Sequence, residues 1–444
     1  MIKNKSNKVL ILFGICFSIC LISCNYKKKT IGVQNESIAT LDNQKWIDPL
    51  IKAYRSFSKN PNIKSADLLY KASELMPKKN WEIYFITATI YASNGKKDKA
   101  FKSLKKAIQF GLKESDLIAN YPKLSGLKDD SRWNEILISA TLSKKKYLKN
   151  IENPELLKEL ESMWAQDQHA LSQYEENIKS LNSNATYEDH QRLFKPVEDR
   201  WEINRIKLDS IINIHGWPGN KLVGEDGTKI AWAIPQHYPD VFFKEECLSL
   251  IKEAVEKGDC NPNHYAELND RIARETWRKQ LFGASMGNDS PYPIEDPANV
   301  DKRRSELGLF EPIEVYAYYH GITYQRPSLE SARQELKTER ENAQKNYRKF
   351  KQLIDRKELD SANIYLKKAI KAYGDLSNDQ LYQASVKLAQ VNYLQSEEIS
   401  IKIIKVLIWR KWKRRHAILN NNKFISLHKN AKWNNIKKLL QKSK

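Results

Sequence analysis

Ala88, Tyr91, Gly95, Ala100, Leu104 and Ala107 follow one another at spacings of 3, 4, 5, 4 and 3 residues. Steps of 3 and 4 keep residues on one face of a helix. Gly95, at the longer step, marks a turn between two such helices. Small side chains on both facing stripes let the helices touch, so this stretch can only fold as a closely packed pair. Thirty-five residues earlier, Ala53, Ser65, Leu69, Ala72 and Pro77 fit the same template. The far end repeats the block: Lys123, Leu127, Trp133, Asn134 and Ile136 return as Lys423, Leu427, Trp433, Asn434 and Ile436, each displaced by 300. Ala362, Leu366 and Ala369 match the second helix of a pair. Little of the chain reads as strand, and the expected fold class is all-α.

This series resembles the tetratricopeptide repeat, in which small residues sit where two helices touch and large ones fill between. The resemblance implies helical-repeat arrays over residues 45–145 and 326–444, flanking a mainly helical middle, residues 150–325, with long irregular loops. Solenoid repeats expose extended surfaces, so a protein partner is expected on them.

The N-terminus reads as an export signal. Lys3, Lys5 and Lys8 precede an apolar run over residues 9–21, and Ser23 stands before Cys24. The 13 residues of that run are too few for the roughly 20 a spanning helix needs. Leu21-Ile22-Ser23-Cys24 resembles the lipobox of bacterial lipoproteins. That resemblance implies cleavage of residues 1–23 and lipid on the Cys24 sulfur, which holds the protein to a membrane through two or three acyl chains. Residues 24–44 then serve as a polar tether. No acidic run follows Cys24, so the expected location is the cell envelope, on the periplasmic face of an outer membrane.

The net charge of +21 is unevenly spread. Residues 1–150 hold 28 Lys and Arg against 12 Asp and Glu, residues 151–320 hold 19 against 31, and residues 321–444 hold 28 against 11. Two basic flanks enclose an acidic middle, a pattern that bears on partners and not on fold. Export directs this charge away from nucleic acid and towards anionic envelope components. The stretch Trp409-Arg410-Lys411-Trp412-Lys413-Arg414-Arg415 reads as a solvated helix face, or else as a segment resting on a membrane with its indoles at head-group depth. A helical pattern over residues 244–257 contains Cys247 and occupies most of the stretch between it and Cys260. That helix would hold them about 20 Å apart, too far for a disulfide, so two free buried thiols are expected.

Within the middle, helical periodicity covers residues 155–180 and 198–214. A turn-rich segment follows over residues 215–227. Helices resume over 228–237, 244–257 and 265–280, and residues 283–299 form an irregular loop. His215-Gly216-Trp217-Pro218, Val223-Gly224, Ala231-Trp232, Gln236-His237, Asp270-Arg271, the segment Pro291-Tyr292-Pro293-Ile294-Glu295-Asp296-Pro297 and Val300-Asp301-Lys302-Arg303-Arg304 follow in order. Together they resemble the bacterial family called domain of unknown function 6624. This chain departs from the family in two places: the family tends to carry an arginine a few residues after the Asp167-Gln168 pair, where this chain has none until Arg192, and it often has Gly-Thr-Gln where this chain reads Gly283-Ala284-Ser285. The resemblance brings no known reaction.

Gly283-Ala284-Ser285-Met286-Gly287 matches the spacing of a nucleophile elbow. It follows a charged helical pattern instead of the strand that chemistry needs. Gly219-Asn220-Lys221-Leu222-Val223-Gly224 begins like a phosphate loop, but Glu225-Asp226 would repel phosphate. The histidines of the middle show no ligand spacing, so no metal and no cofactor is expected. The candidate binding residues are His215, Trp217, Trp232, Gln236, His237, Asp270, Arg271, Asp301, Arg303 and Arg304. They are read either as a polar network that holds the C-terminal part of the middle down, or as the lining of a cleft. In the second case the turn at 215–219 would face both Gln236-His237 and Asp270-Arg271. The expected function is an envelope lipoprotein that scaffolds proteins or binds a ligand. The alternative is a hydrolase or metal-dependent enzyme with its site in the acidic middle.

Overall fold

The computed structural model describes residues 45–442 apart from 58–60, 182–185, 372–374, 392 and 431. Cys24 and the expected export signal lie outside the described residues. The described chain is all-α. Among the described residues it has no strand, only two isolated bridges, Gln280 with Ile294 and Met286 with Pro291. It divides into two compact units. One takes the described part of Met1–Asn204 with Pro218–Ile230 and Tyr318–Gly321; the other takes Arg205–Trp217, Ala231–Ala317 and the described part of Ile322–Lys444.

The first unit opens with helices Ile47–Phe57, Ile63–Leu75, Trp81–Ser93 and Lys97–Gln109, each packed on the next. Ala53, Ala66, Leu69, Ala72, Ala88, Ala100, Leu104 and Ala107 are fully buried at these contacts. Gly95 takes φ 70° at the turn, and Lys96 N–H closes the preceding helix on the Tyr91 carbonyl at 2.9 Å. The second unit builds the same pairs from Leu329–Asp355, Leu359–Ile370, Asn378–Ala389 and Leu394–Trp409. There Lys357 holds the left-handed position (φ 63°), and Glu358 N–H closes on Leu353 O at 3.0 Å.

The 300-residue repeat is a repeated structure. Short 3-10 segments, Pro122–Leu127 and Asn422–Lys429, lead into helices Trp133–Lys149 and Trp433–Lys442. Leu124, Leu127, Trp133, Ile136 and Ala140 are buried in one copy, and Phe424, Leu427, Trp433, Ile436 and Leu440 in the other. Trp133 N–H donates to Asp130 O, and Trp433 N–H to Asn430 O, at 2.9 Å each. Arg132 pairs with Asp98 as Lys432 pairs with Glu398, at the same separation along the chain.

Three local expectations change. Residues 215–227 are not one continuous turn, because helix Asn220–His237 begins within them and is broken at Gly224 (φ 70°, ψ 172°). A Cβ on Gly224 would lie 2.1 Å from Tyr147 Oη, so glycine both permits the break and admits the tyrosine. The helix expected over 265–280 is Pro262–Glu275, ended by Trp277 in the left-handed region (φ 52°). The basic stretch 409–415 is not one helix face, because helix Leu394–Trp409 ends at its first residue. Lys411 turns the chain (φ 51°), Trp412 is 7% exposed, and Arg410 points inward. Cys247 and Cys260 are free and buried, as helix Val241–Glu256 requires.

Candidate functional site

Helix Pro262–Glu275 organises the candidate residues. Asn261 caps it by accepting Asn263 N–H at 3.0 Å, and Pro262 needs no partner for its missing N–H. At 100° per residue, His264, Leu268, Arg271 and Glu275 form one stripe, while Ala266, Glu267 and Asp270 face elsewhere.

On the first stripe, Trp232 stacks on His264, with ring centroids 4.9 Å apart and planes 13° from parallel. Its Nε1 donates to His264 O at 3.0 Å. Gln236 is buried, and its amide oxygen accepts from Trp232 Nε1 at 3.1 Å and Leu268 N at 3.2 Å. Cys260 Sγ lies 3.5 Å from His264 Nδ1, with the Trp217 indole beside the thiol. Burial pushes the Cys260 thiol up to about 11, and it raises Cys247 as well. Further along, Glu275 takes two cations, Arg271 Nε and Lys244 Nζ, each at 3.1 Å. Lys244 is fully buried and also donates to Tyr238 O; burial lowers its pKa while Glu275 opposes the shift.

On the other face, Asp270 is fully buried and its carboxylate accepts the backbone N–H groups of Leu281 (2.8 Å), Phe282 (3.1 and 3.2 Å) and Ala284 (2.8 Å). Burial raises this carboxyl to about 6, and the three backbone donors pull against it. Arg304, also buried, donates Nη1 to Phe282 O at 3.0 Å and Nε to Glu311 O at 2.9 Å, with its guanidinium 4.9 Å from the Tyr316 ring. Arg303 donates to Leu281 O, Glu295 O and Asp296 O at 2.8, 2.6 and 3.0 Å. Asp301 accepts Ile313 N–H at 2.8 Å and pairs with Arg326 at 3.1 Å. The irregular segment from Leu281 to Asp296 thus has its buried backbone groups satisfied largely by side chains, which a non-repetitive loop must arrange for itself.

The residues expected to line one cleft therefore lie on two faces of one helix. Trp217, Trp232 and Gln236 gather at His264, while Asp270 joins Arg303 and Arg304 at the 281–284 backbone. Arg271 is held by Glu275. His215 is exposed at the end of helix Tyr187–His215, and His237 is half-buried. Sequence reasoning missed Gln280. It is 1% exposed, accepts Ser285 N–H at 2.8 Å and donates to Ser285 O and Tyr292 O at 3.0 and 2.6 Å. Its place at the end of an expected helix concealed it. Glu267, which receives the Tyr316 hydroxyl at 3.0 Å, was missed for want of any motif.

Residues 154–325 match the family model for DUF6624, a family of unknown function. The matched stretch contains every candidate binding residue named above and agrees with the resemblance read from the run between His215 and Arg304. No curated protein and no solved structure matches the chain.

Proposed function

We infer that this chain is a lipid-anchored protein of the cell envelope that works by binding: its helix pairs receive a protein partner, and its middle contributes a braced platform or ligand site. The observation that carries this reading is how the ionisable groups of the middle are used. Asp270, Arg303 and Arg304 satisfy backbone atoms of the 281–296 segment, and Arg271 and Lys244 satisfy Glu275. Groups committed in this way stabilise a surface and are poorly placed to move protons during a reaction. The hydrolase alternative draws no support from the thiols, since burial raises both. Membrane attachment rests on the lipobox-like Leu21-Ile22-Ser23-Cys24 and the short apolar run before it.

The test has two arms. Cys24→Ala is expected to abolish incorporation of labelled palmitate and release the protein from envelopes; retained acylation refutes the anchor. Cross-linking in intact envelopes followed by affinity capture of the full chain is expected to yield a defined protein adduct. That adduct should be lost on Ala100→Leu, which disrupts a helix pair, and kept on Asp270→Asn. Turnover of an ester or phosphoester substrate by the wild type, lost in Asp270→Asn with the fold intact, would favour the enzyme.

A further inference from the structure

The repeated capping block differs between its two copies in what its last helix shows to solvent. In Trp133–Lys149 the inward set is Trp133, Ile136 and Ala140, while Ile138 and Leu142 stand 59% and 58% exposed. At 100° per residue, Ile138, Leu142, Lys145 and Lys149 fall within about 60° of one another on the outer side. Lys144 and Lys146 flank them, and all four of these lysines are exposed. Glu135 is the one acidic residue of this helix, and Lys105 takes it at 2.9 Å.

The second copy carries Lys438 and Lys442 where the first has Ile138 and Leu142. Trp433, Ile436 and Leu440 are buried at the equivalent inward positions, and Lys438 is exposed. The module therefore does not need aliphatic residues at these two places. Two aliphatic side chains one turn apart, continued by a row of lysines, make the pattern of a helix that lies in a membrane interface.

We propose that the stripe Ile138, Leu142, Lys145 and Lys149 seats the first unit on an anionic phospholipid surface. The aliphatic pair enters at head-group depth, and the lysines rest on lipid phosphates. Charge complementarity favours this occupant. Residues 45–150 hold 22 Lys and Arg against 10 Asp and Glu, so the whole approach is attracted to anionic lipid. Reach favours it too: the 21 residue steps from Cys24 to Lys45 span at most about 75 Å, which keeps a lipid-anchored unit close to the bilayer. This reach depends on the lipid anchor at Cys24, while the stripe and its charge do not.

The experiment uses the full chain carrying Thr141→Cys, at an exposed position beside the stripe, labelled with an environment-sensitive fluorophore; Cys16, Cys20 and Cys24 are replaced by Ser in this labelled chain, and Cys247 and Cys260 are buried. Vesicles of phosphatidylglycerol and phosphatidylethanolamine should raise the emission at least twofold, and phosphatidylcholine vesicles should not. The same label at Ile364→Cys, exposed in the second unit, should stay unchanged. Adding I138K and L142K should cut the response at least fivefold although it adds two positive charges. Its helical melting should match the wild type. Adding K145E, K146E and K149E should weaken binding about fivefold per lysine. Undiminished or stronger binding by the I138K/L142K chain overturns the proposal, because charge alone would then account for attraction. So does sedimentation without lipid showing that this pair instead holds two copies together. Absence of acyl chains on Cys24 of the wild-type chain by mass spectrometry would remove the anchor but leave the vesicle result standing, so the two failures are distinguishable.

Discussion

Arg410 donates Nη2 to the carbonyl oxygen of Trp277 at 2.6 Å, across 133 residues of chain, and Nε to Thr276 O at 2.7 Å. A tryptophan in the left-handed region is disfavoured by about 1–2 kcal/mol. Here Trp277 is buried in the same apolar cluster as Phe350, Leu366, Leu407 and Trp433. The side chain of one segment and the backbone of another thus end helix Pro262–Glu275 together.

Replacing Arg410 by Ala leaves two buried carbonyls without donors and should cost about 2–4 kcal/mol, read by denaturant unfolding followed through tryptophan fluorescence. Arg410→Lys should recover less than half of the loss. One ammonium cannot serve Thr276 O and Trp277 O while also reaching Asn378 Oδ1, which Arg410 Nη1 meets at 2.9 Å.

Asp270→Asn puts an amide donor among backbone N–H groups and should destabilise the second unit by about 2–4 kcal/mol at pH 7. Because the folded carboxyl is raised to about 6 against about 3.9 unfolded, the folded state takes up a proton before the unfolded one. The stabilisation from this proton uptake is fully present below pH ~4 and is lost as pH rises through about 6. Wild-type stability should therefore gain about 2–3 kcal/mol relative to Asp270→Asn between pH 7 and pH 4. Parallel pH profiles for the two chains would contradict it.

The thiols give a kinetic readout. With Cys260 raised to about 11, its thiolate fraction at pH 8 is roughly 200-fold below that of a free thiol. Iodoacetamide should label Cys247 and Cys260 of the native protein at least 100-fold more slowly than of the denatured chain, as followed by mass spectrometry. Rapid native labelling of Cys260 would reveal an activated Cys260–His264 pair.

Gly224→Ala should destabilise the first unit by about 2–4 kcal/mol. The new Cβ meets Tyr147 Oη at 2.1 Å and Ile151 Cδ1 at 2.9 Å, and φ 70° is strained for alanine. Thermal melting checks this, and Gly95→Ala is the control. A Cβ at Gly95 meets nothing within 4 Å, so only the cost of φ remains, about 1 kcal/mol.

The all-α class, the small-residue contacts and the duplicated block were legible in the sequence because each depends on spacing along one helix or between adjacent ones. Ala100 must meet a neighbouring helix wherever that pair folds, and Trp133 and Trp433 lie in the same local frame. The candidate site was legible only as a set of polar residues. Whether Asp270 faced a cleft or a backbone depended on Leu281, Phe282 and Ala284, which belong to a segment without periodicity. The end of helix Pro262–Glu275 was hidden for a related reason: Trp277 adopts its conformation because Arg410 and a distant apolar cluster hold it. The burial of Trp412 amid basic residues was equally illegible, since composition alone does not show that Lys411 turns the chain. Sequence by itself determined the helices and their pairing, which short-range spacing encodes. Tertiary structure decided which polar groups are consumed internally, because hydrogen bonds to irregular backbone are set by contacts far apart in the chain.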